Sequence, residues 1–246
     1  AVKLERFAFS SDAFRRYALE PAVRQIAHAG FKGIELVADK PQLWLDRFSA
    51  QDVSKLRTLL AKNKLVVSNI NACSVNGYWT DAPAEPLSEP SLISGDRTLR
   101  EWRIAYTKKA LRLASELGAQ NVSIVSGKAL SAPPEKAAKL LKESLGRLVA
   151  MVETLKLRLS LQCEPAMLIE RSDELKALID AIGSANFGAS VNVGQLHAAG
   201  ENITSALRSL GDRLFHISLQ DIRGGKYYAR MPGDGEIDFA AVFQLL

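Results

Sequence analysis

The sequence predicts a parallel α/β fold closed into a (β/α)8 barrel. Short apolar runs alternate with segments of helical period along the 246 residues, as in parallel sheets covered by helices. Seven strand-then-helix units, each roughly 30 residues long, favour a barrel over an open doubly wound sheet. No Gly-x-Gly-x-x-Gly follows the first apolar run, which argues against a dinucleotide-binding fold. No Gly-, Ser- or Pro-rich linker divides the sequence, so we expect residues 1–246 to form a single domain.

Seven runs are predicted to be the strands of this barrel. Several are short and strongly apolar, as expected of parallel strands that helices cover. The predicted strands are Phe7–Ser10, Gly33–Val37, Leu65–Asn71, Asn121–Val125, Leu159–Cys163, Phe187–Asn192 and Leu214–Leu219.

The predicted helices lie between these strands and carry apolar stripes at helical spacing. Gly30 is expected to end the first helix, and Gly183 follows the fifth. Ser49-Ala50-Gln51-Asp52 resembles a capping box at the start of the second helix. Ser172 is predicted to cap the fifth. The stripes are Leu19, Ala22, Val23, Ile26 and Ala27; Val53, Leu56, Leu59 and Leu60; Ile104, Leu111, Ala114 and Leu117; Leu141, Leu145, Leu148, Val152 and Leu155; and Leu175, Leu178, Ile179 and Ile182.

An eighth strand is missing from the predicted barrel. After Asp238 the sequence enters a further predicted helix and stops at Leu246. A barrel of seven strands would expose sheet edges and core. We therefore expect the native chain to continue beyond Leu246 with the missing strand. The alternative is a segment supplied by a partner subunit.

Composition favours a reduced, water-soluble protein. Hydrophobic residues make up 47% and charged residues 24% of the sequence, which is ordinary for a globular domain. No apolar run approaches the roughly 18 residues of a membrane span, and Ala1–Arg6 has no signal-peptide core. Cys73 and Cys163 are too few for a disulfide framework. We expect buried thiols, no membrane partner and a cytoplasmic location.

The basic balance of the sequence is compatible with several ligands. The net charge is +5, and basic patches attract phosphates and nucleic acid. Here Lys and Arg are interleaved with Glu and Asp along the helices, so a solvated surface explains the charge. An anionic small substrate fits it about as well as nucleic acid does.

Four segments, in this order and spacing, carry a family resemblance. They are Ala29–Leu36 (Ala-Gly-Phe-Lys-Gly-Ile-Glu-Leu), Ala114–Ala119, Leu159–Pro165 with its terminal Glu-Pro, and Pro232–Phe239 (Pro-Gly-Asp-Gly-Glu-Ile-Asp-Phe). Together they resemble the xylose-isomerase-like TIM barrels, in particular the sugar phosphate isomerase/epimerase branch. The resemblance implies an active site at the carboxyl ends of the strands.

The resemblance also implies a divalent metal, Mn²⁺, Mg²⁺ or Zn²⁺. Its ligands would be Glu164, the positions of Asn192 and Ser218, and a Glu ending the last strand. The family has Asp, His and His where this sequence has Asn192, Gln195 and Ser218. Neutral amide and hydroxyl oxygens are poor ligands for such ions. The sequence therefore favours a polar pocket that works without metal, with metal binding as the alternative.

The matched positions suggest individual roles. The resemblance makes Glu164 a ligand and the base of a proton transfer, against the alternative of a salt bridge at the barrel mouth. Asn192 is predicted to hydrogen-bond substrate rather than to bind metal. Gln195 can hold a hydroxyl but cannot relay protons near neutral pH. Ser218 is predicted to be a small polar lining residue.

The remaining polar candidates stand beside the predicted strand ends. His197, placed in the loop after strand six, is considered as a replacement for the lost histidine. His216 precedes Ser218 by two residues, so it should share its side of the strand one layer deeper, as a hydrogen-bonded core residue. Glu35 ends strand two and is expected to be structural.

Two cations and an aromatic pair complete the candidates. Lys128 lies beyond strand four and Arg223 beyond strand seven. Either cation could stabilise an enolate or bind a phosphate in place of a metal, the alternative being solvated surface charges. The long connection Ala72–Arg97 contains Tyr78 and Trp79, which could cap a sugar ring or pack on one another in a surface loop.

Three functions follow as hypotheses. The first is a sugar or sugar phosphate isomerase/epimerase that transfers protons through an enediolate with Glu164 as base. The second is a non-catalytic sugar-binding pseudo-enzyme or partner subunit, because the substituted residues are polar and uncharged. The third and remote one is an endonuclease-IV-like nuclease, which needs more histidines than the three present. We expect a small-molecule carbohydrate as ligand and no nucleic acid, with a homo-oligomer left open.

Overall fold

The computed structural model describes residues 7–83, 86–128, 133–224 and 226–246. Seven parallel strands form one sheet in the order of the chain. The predicted strands are confirmed, and no strand end differs from its predicted position by more than one residue. They are β1 (Ala8–Ser10), β2 (Gly33–Val37), β3 (Val66–Asn71), β4 (Asn121–Val125), β5 (Arg158–Gln162), β6 (Phe187–Asn192) and β7 (Leu214–Ser218).

The sheet curls into a barrel that lacks one strand among the described residues. β2 and β7 are not neighbours in the sheet, yet His216 Nε2 on β7 lies 2.9 Å from Glu35 Oε2 on β2. Side chains of non-adjacent strands meet in this way only when the sheet bends round so that both face the same interior. The predicted (β/α)8 architecture is therefore confirmed, with β1 and β7 as the two edges of the seven-stranded sheet.

Five helices connect successive strands and cover the sheet. The capping box of the second helix is confirmed, since Ser49 and Asp52 each accept the other's backbone N–H. Gly118 and Gly183 adopt left-handed conformations, with φ of 74° and 72°, after the third and fifth helices. The helices are α1 (Leu19–His28), α2 (Ala50–Lys62), α3 (Arg97–Leu117), α4 (Pro134–Leu155) and α5 (Ser172–Ile182).

The predicted cap of α5 was wrong by one residue. Arg171 occupies the N-cap position, and Ser172 is the first helical residue. Both the N–H and the hydroxyl of Ser172 donate to the carboxylate of Glu201. A carboxylate from a neighbouring loop thus satisfies the helix terminus, a role that local sequence cannot reveal.

The chain beyond β6 holds more structure than was predicted. Two short helices follow β6, namely α6 (Val193–Ala198) and α7 (Ile203–Leu210). His197 therefore lies in a helix and not in a loop as expected. Past β7, an antiparallel hairpin pairs β8 (Asp221–Arg223) with β9 (Lys226–Arg230). The last helix, α8 (Phe239–Phe243), begins after Asp238 as predicted.

The barrel interior carries a polar layer beneath the strand ends. Asn121 Nδ2 donates to Asn69 Oδ1 at 2.8 Å and to Ser160 Oγ at 2.9 Å. Asn69 Nδ2 in turn donates to Ser123 Oγ at 2.8 Å. Buried polar groups are tolerated when paired, so this layer forms a hydrogen-bonded floor under the mouth.

Two expectations from composition concern thiols and membranes. Cys73 and Cys163 are both free thiols, but only Cys163 is fully buried. None of the helices in the described ranges has the length and apolar character needed to cross a bilayer.

Candidate active site

A tight turn after β5 presents Glu164 at the barrel mouth. The N–H of Glu164 donates to the carbonyl of Ile169 at 3.2 Å, and the N–H of Met167 donates to the Glu164 carbonyl at 3.1 Å. These bonds hold the backbone on both sides of the side chain. The half-buried carboxyl of Glu164 therefore has a defined place two residues beyond the strand.

Two amides surround this carboxyl. Gln162 Nε2 donates to Gln195 Oε1 at 2.9 Å and to Glu164 Oε2 at 3.4 Å. Burial raises the pKa of Glu164, and the amides of Gln195 and Gln162, together with Lys128, offset only part of that rise. A carboxylate with a raised pKa is a better proton acceptor than an ordinary surface glutamate. Gln162 was not among the sequence candidates, although it shares its side of the strand with Glu164.

Asn192 ends β6 and caps the helix that follows. Its Oδ1 accepts the backbone N–H groups of Gly194 at 2.9 Å and Gln195 at 3.3 Å, and its Nδ2 donates to Gln220 Oε1 at 2.6 Å. An amide oxygen has two lone pairs, and both are used here by α6. The side chain predicted to touch substrate is thus also the cap that orients Gln195.

Ser218 and His216 occupy successive layers of β7. Ser218 is the last residue of the strand and pairs in register with Asn192, so the two positions lie side by side at the mouth. His216 points to Glu35 below them. The expectation that His216 is a hydrogen-bonded residue one layer deeper is confirmed.

Glu35 is the centre of a hydrogen-bond network that joins four strands. It accepts from Ser10 Oγ at 2.7 Å, Asn69 Nδ2 at 2.8 Å and Asn71 Nδ2 at 3.4 Å, besides His216. Burial by itself would raise the pKa of Glu35, but His216, Ser10 and Asn69 outweigh it and lower the pKa to about 2. A carboxylate held ionised by this many donors is structural, as expected.

The two candidate cations have different surroundings. Lys128 pairs its backbone with Met167 in a short antiparallel bridge, which brings it next to the turn that carries Glu164. Arg223 lies in β8, where its Nη2 donates to the carbonyl of Asp234 at 2.5 Å. Arg223 therefore fastens the hairpin, and Lys128 is the cation whose charge reaches Glu164.

His197 faces the segment Pro232–Phe239. Its Nε2 lies 3.5 Å from Glu236 Oε2, and both side chains are partly exposed. This contact ties α6 to the segment that follows the hairpin. The geometry gives His197 a bridging position rather than one beside Glu164.

The Pro-Gly-Asp-Gly-Glu-Ile run has a structural explanation in Asp221. This buried carboxylate accepts the backbone N–H groups of Gly233 and Gly235 at 2.8 Å and those of Glu236 and Ile237 at 3.1 Å. Burial alone would raise the pKa of Asp221, but these donors lower it. A Cβ on Gly235 would lie 2.1 Å from Asp221 Oδ1, so the close approach requires glycine.

Trp79 packs against Tyr78 of the same loop, and Tyr78 packs against Trp102 of α3. The ring centroid of Trp79 lies 4.9 Å from that of Tyr78, which lies 4.6 Å from that of Trp102. Trp79 Nε1 donates to the carbonyl of Glu89 at 2.7 Å. Trp79 is 39% exposed, so part of the side chain is accessible to solvent while the rest packs in the loop.

The donor set does not fit a divalent metal. Within the described ranges, no group of three His, Cys, Asp or Glu side chains is close enough to hold an ion. Of the three implied ligand positions that lie within this sequence, only Glu164 is a carboxylate, and the oxygen of Asn192 is occupied by backbone N–H groups. We therefore derive no chemistry through a metal.

Comparison with known proteins agrees with this architecture. A curated fructoselysine 3-epimerase from Escherichia coli O157:H7 is 23% identical over 228 residues, covering 91% of this chain and 78% of that protein. An inosose dehydratase from Clostridium beijerinckii is 24% identical over 254 aligned positions, covering 96% and 80%. Both matches run through most of each chain.

Solved structures share the fold at lower identity. A D-tagatose 3-epimerase-like protein superposes with a TM-score of 0.81 at 19% identity, covering 97% of this chain and 85% of its own. A D-psicose 3-epimerase with D-fructose gives 0.77 at 15%, with coverages of 97% and 79%. The IOLI protein with a bound zinc atom gives 0.75 at 16%, with coverages of 97% and 83%.

A family model described as the xylose isomerase-like TIM barrel matches residues 23–246. That match spans nearly the whole sequence and agrees with the seven parallel strands and the segments that carried the resemblance. The chain therefore belongs to the xylose isomerase-like TIM barrel family.

Proposed function

We propose that this protein is a sugar epimerase or isomerase in which Glu164 removes a proton from the carbon beside a carbonyl. The observation that carries the proposal is the half-buried Glu164 carboxyl, held at the barrel mouth next to Gln162 and Gln195. Its raised pKa suits a general base. The names of the relatives, fructoselysine 3-epimerase and D-psicose 3-epimerase among them, support a sugar as substrate.

Proton removal beside a carbonyl leaves negative charge on oxygen. Pre-placed positive charge or hydrogen-bond donors in a dry site stabilise such an enediolate. Lys128 is the cation whose charge acts on Glu164, and we assign it this role. Arg223 is engaged by the hairpin and is left out of the mechanism.

Neutral side chains would hold the sugar. Gln195 and Ser218 combine donors and acceptors suited to hydroxyl groups, and they stand at neighbouring strand ends with Asn192. Asn192 would contribute chiefly by orienting Gln195 through the cap. These neutral groups would bind the hydroxyl groups of the sugar without the help of a metal ion.

A second candidate is a non-catalytic sugar-binding protein. The observation that favours it is the Asn192 amide, whose oxygen caps α6 in place of a charged ligand. Such a protein would retain the polar mouth and bind sugar without proton transfer. Deuterium exchange separates the two candidates.

The test uses D-fructose and D-tagatose as probes in deuterated water. We expect solvent deuterium to enter the carbon beside the carbonyl with the intact protein, and Glu164→Gln to slow this at least about 100-fold. Glu143→Gln, an exposed carboxylate on α4, should leave the rate unchanged. Added EDTA should also leave it unchanged. No exchange with any probe sugar, while binding persists, would establish the binding protein instead.

A further inference from the structure

Gln195 has a fixed backbone at the start of α6. It is the third residue of that helix and is only 5% exposed. Its N–H donates to the capping oxygen of Asn192 at 3.3 Å. A Cβ on Gly194 would lie 2.9 Å from the carbonyl oxygen of Gln220, so the first turn of α6 packs directly against the chain after β7. These contacts hold the backbone of Gln195, but they leave open which end of its side-chain amide faces which neighbour.

Gln162 is placed where it can determine that orientation. It is the last residue of β5 and pairs in register with Val125 of β4 on one side and Ser190 of β6 on the other. Both partners are buried. A side chain carried by a strand between two neighbours starts from a more precise position than one carried by a loop. The amide of Gln162 therefore has a defined place at the barrel mouth.

The NH2 group of Gln162 reaches two oxygens. Its Nε2 lies 2.9 Å from Gln195 Oε1 and 3.4 Å from Glu164 Oε2. The first distance is that of an ordinary hydrogen bond, and the second exceeds the usual range. The bond to Gln195 is therefore the stronger of the two, and we expect Gln162 to act on the site mainly through Gln195.

The ionised Glu164 selects one arrangement of the two amides. Turning Gln195 alone would set two NH2 groups against each other, and turning Gln162 alone would set its oxygen against two other oxygens. Turning both would leave the Gln162 oxygen facing the Glu164 carboxylate, which repels it. In the favoured arrangement, Gln195 accepts from Gln162 and turns its own NH2 group away from Gln162. The lowering of the Glu164 pKa by the Gln195 amide agrees with this orientation, since an NH2 group stabilises a carboxylate and a carbonyl oxygen does not.

We propose that Gln162 is a positioning residue that fixes the amide of Gln195, so that Gln195 serves the substrate as a hydrogen-bond donor. This inference rests on the proposed function, in which proton removal by Glu164 leaves negative charge on the carbonyl oxygen of the sugar. A donor that is oriented before the reaction stabilises that charge. An amide that rotates freely presents its NH2 group for only part of the time. Gln162 acts through Gln195 and is assigned no contact with the substrate.

Three variants test whether Gln162 acts through Gln195. Deuterium entry into D-fructose and D-tagatose in deuterated water should slow about 10-fold in Gln162→Met, which keeps the length of the side chain but has no NH2 group. The loss should appear in kcat, with KM changed by less than about threefold. Gln195→Ala should slow exchange by at least as much, and the double variant should stay within about threefold of Gln195→Ala, because linked effects do not add. Gln51→Met, on the exposed face of α2, is the matched control and should leave the rate unaltered.

Nitrogen NMR of the side-chain amides provides a readout besides activity. In the unaltered protein the NH2 group of Gln195 should be as ordered as rigid backbone, with an order parameter of about 0.85. In Gln162→Met the value should fall below about 0.6, because the amide is then free to rotate. The signal of Gln195 is identified by its loss in Gln195→Ala, and the exposed Gln51 should be mobile in both proteins.

The outcomes distinguish this inference from the proposed function. Additive losses in the double variant, or an equally ordered Gln195 amide in Gln162→Met, would overturn the role of Gln162 and leave that of Glu164 intact. If the unaltered protein exchanges no deuterium, the proposed function and the inference fall together. Should Gln162→Met fail to fold, Gln162→Glu keeps the shape and polarity of the side chain. Its carboxylate accepts instead of donating, so it should draw the NH2 group of Gln195 toward itself and slow exchange at least about 10-fold; an unaltered rate would overturn the inference.

Discussion

Glu35 on β2 and His216 on β7 meet across the barrel interior, with 2.9 Å between Oε2 and Nε2. The two strands belong to opposite halves of a sheet that has only seven strands among the described residues. The contact therefore helps to keep the incomplete barrel curled. It also forms part of the floor beneath Ser218 and Asn192, so the shape of the mouth depends on it.

Removing the charge of Glu35 should destabilise the fold. Glu35→Gln replaces one of the two acceptor oxygens by an NH2 donor, which faces donors on His216 or on the neighbouring strands. Breaking a buried charged pair in this way costs about 3–5 kcal/mol. Because folding lowers the pKa of Glu35 from 4.5 to about 2, its contribution is complete above about pH 4.5 and is lost as the pH falls toward 2. Urea unfolding at several pH values measures both effects. The exposed control Glu143→Gln should change stability by less than about 0.5 kcal/mol; an equally small change in Glu35→Gln would contradict the structural role.

Lys128 should influence the pH below which activity is lost. Glu164 must be ionised to act as a base, so activity is lost as the pH falls through its raised pKa. Lys128→Met removes a charge that lowers this pKa, and the acid limb should move to higher pH. The rate should also fall by about 100-fold, as when one oxyanion-stabilising donor is removed. Deuterium exchange against pH measures both changes. Lys139→Met, on the exposed face of α4, should leave the profile unaltered, and an unaltered profile in Lys128→Met would rule out the assigned role.

Two glycine-to-alanine changes should have opposite signs. In Gly235→Ala the new Cβ would collide with the carboxylate of Asp221, which should cost about 1–3 kcal/mol. In Gly146→Ala the Cβ enters open space on α4, and loss of backbone freedom in the unfolded chain should stabilise the protein by about 0.5–1 kcal/mol. Thermal unfolding of both variants is the measurement. If the two variants changed the free energy of unfolding equally, the segment that donates to Asp221 would have to rearrange around the new Cβ of residue 235.

Local sequence predicted most of the secondary structure but missed features that depend on distant residues. Helix period and apolar runs predicted the strands and α1–α5, because burying those stripes against a sheet is the main source of stability. The cap of α5 was misplaced because its partner, Glu201, comes from a distant loop. α6 was missed because it is short and its N-cap, Asn192, was interpreted as a site group.

The candidate site was also predicted only in part from the sequence. Glu164 was identified from the Glu-Pro that ends the fifth predicted strand, and Lys128 from its place after the fourth. Gln162 was overlooked. The alternating direction of side chains along β5 was available as a signal for Gln162.

The sequence by itself determined the family and the order of the strands, since the periodicity of apolar residues and the spacing of turn motifs are properties of the chain. It also determined that Asn192, Gln195 and Ser218 are neutral at positions where the family has charged or imidazole groups. Only the tertiary structure decided what those groups contact. Hydrogen bonds between strands make Glu35 structural, and the bridge between Lys128 and Met167 brings Lys128 next to the turn that carries Glu164. Partners distant in sequence decide such roles, because hydrogen bonding and electrostatics act over ångströms in space and not along the chain.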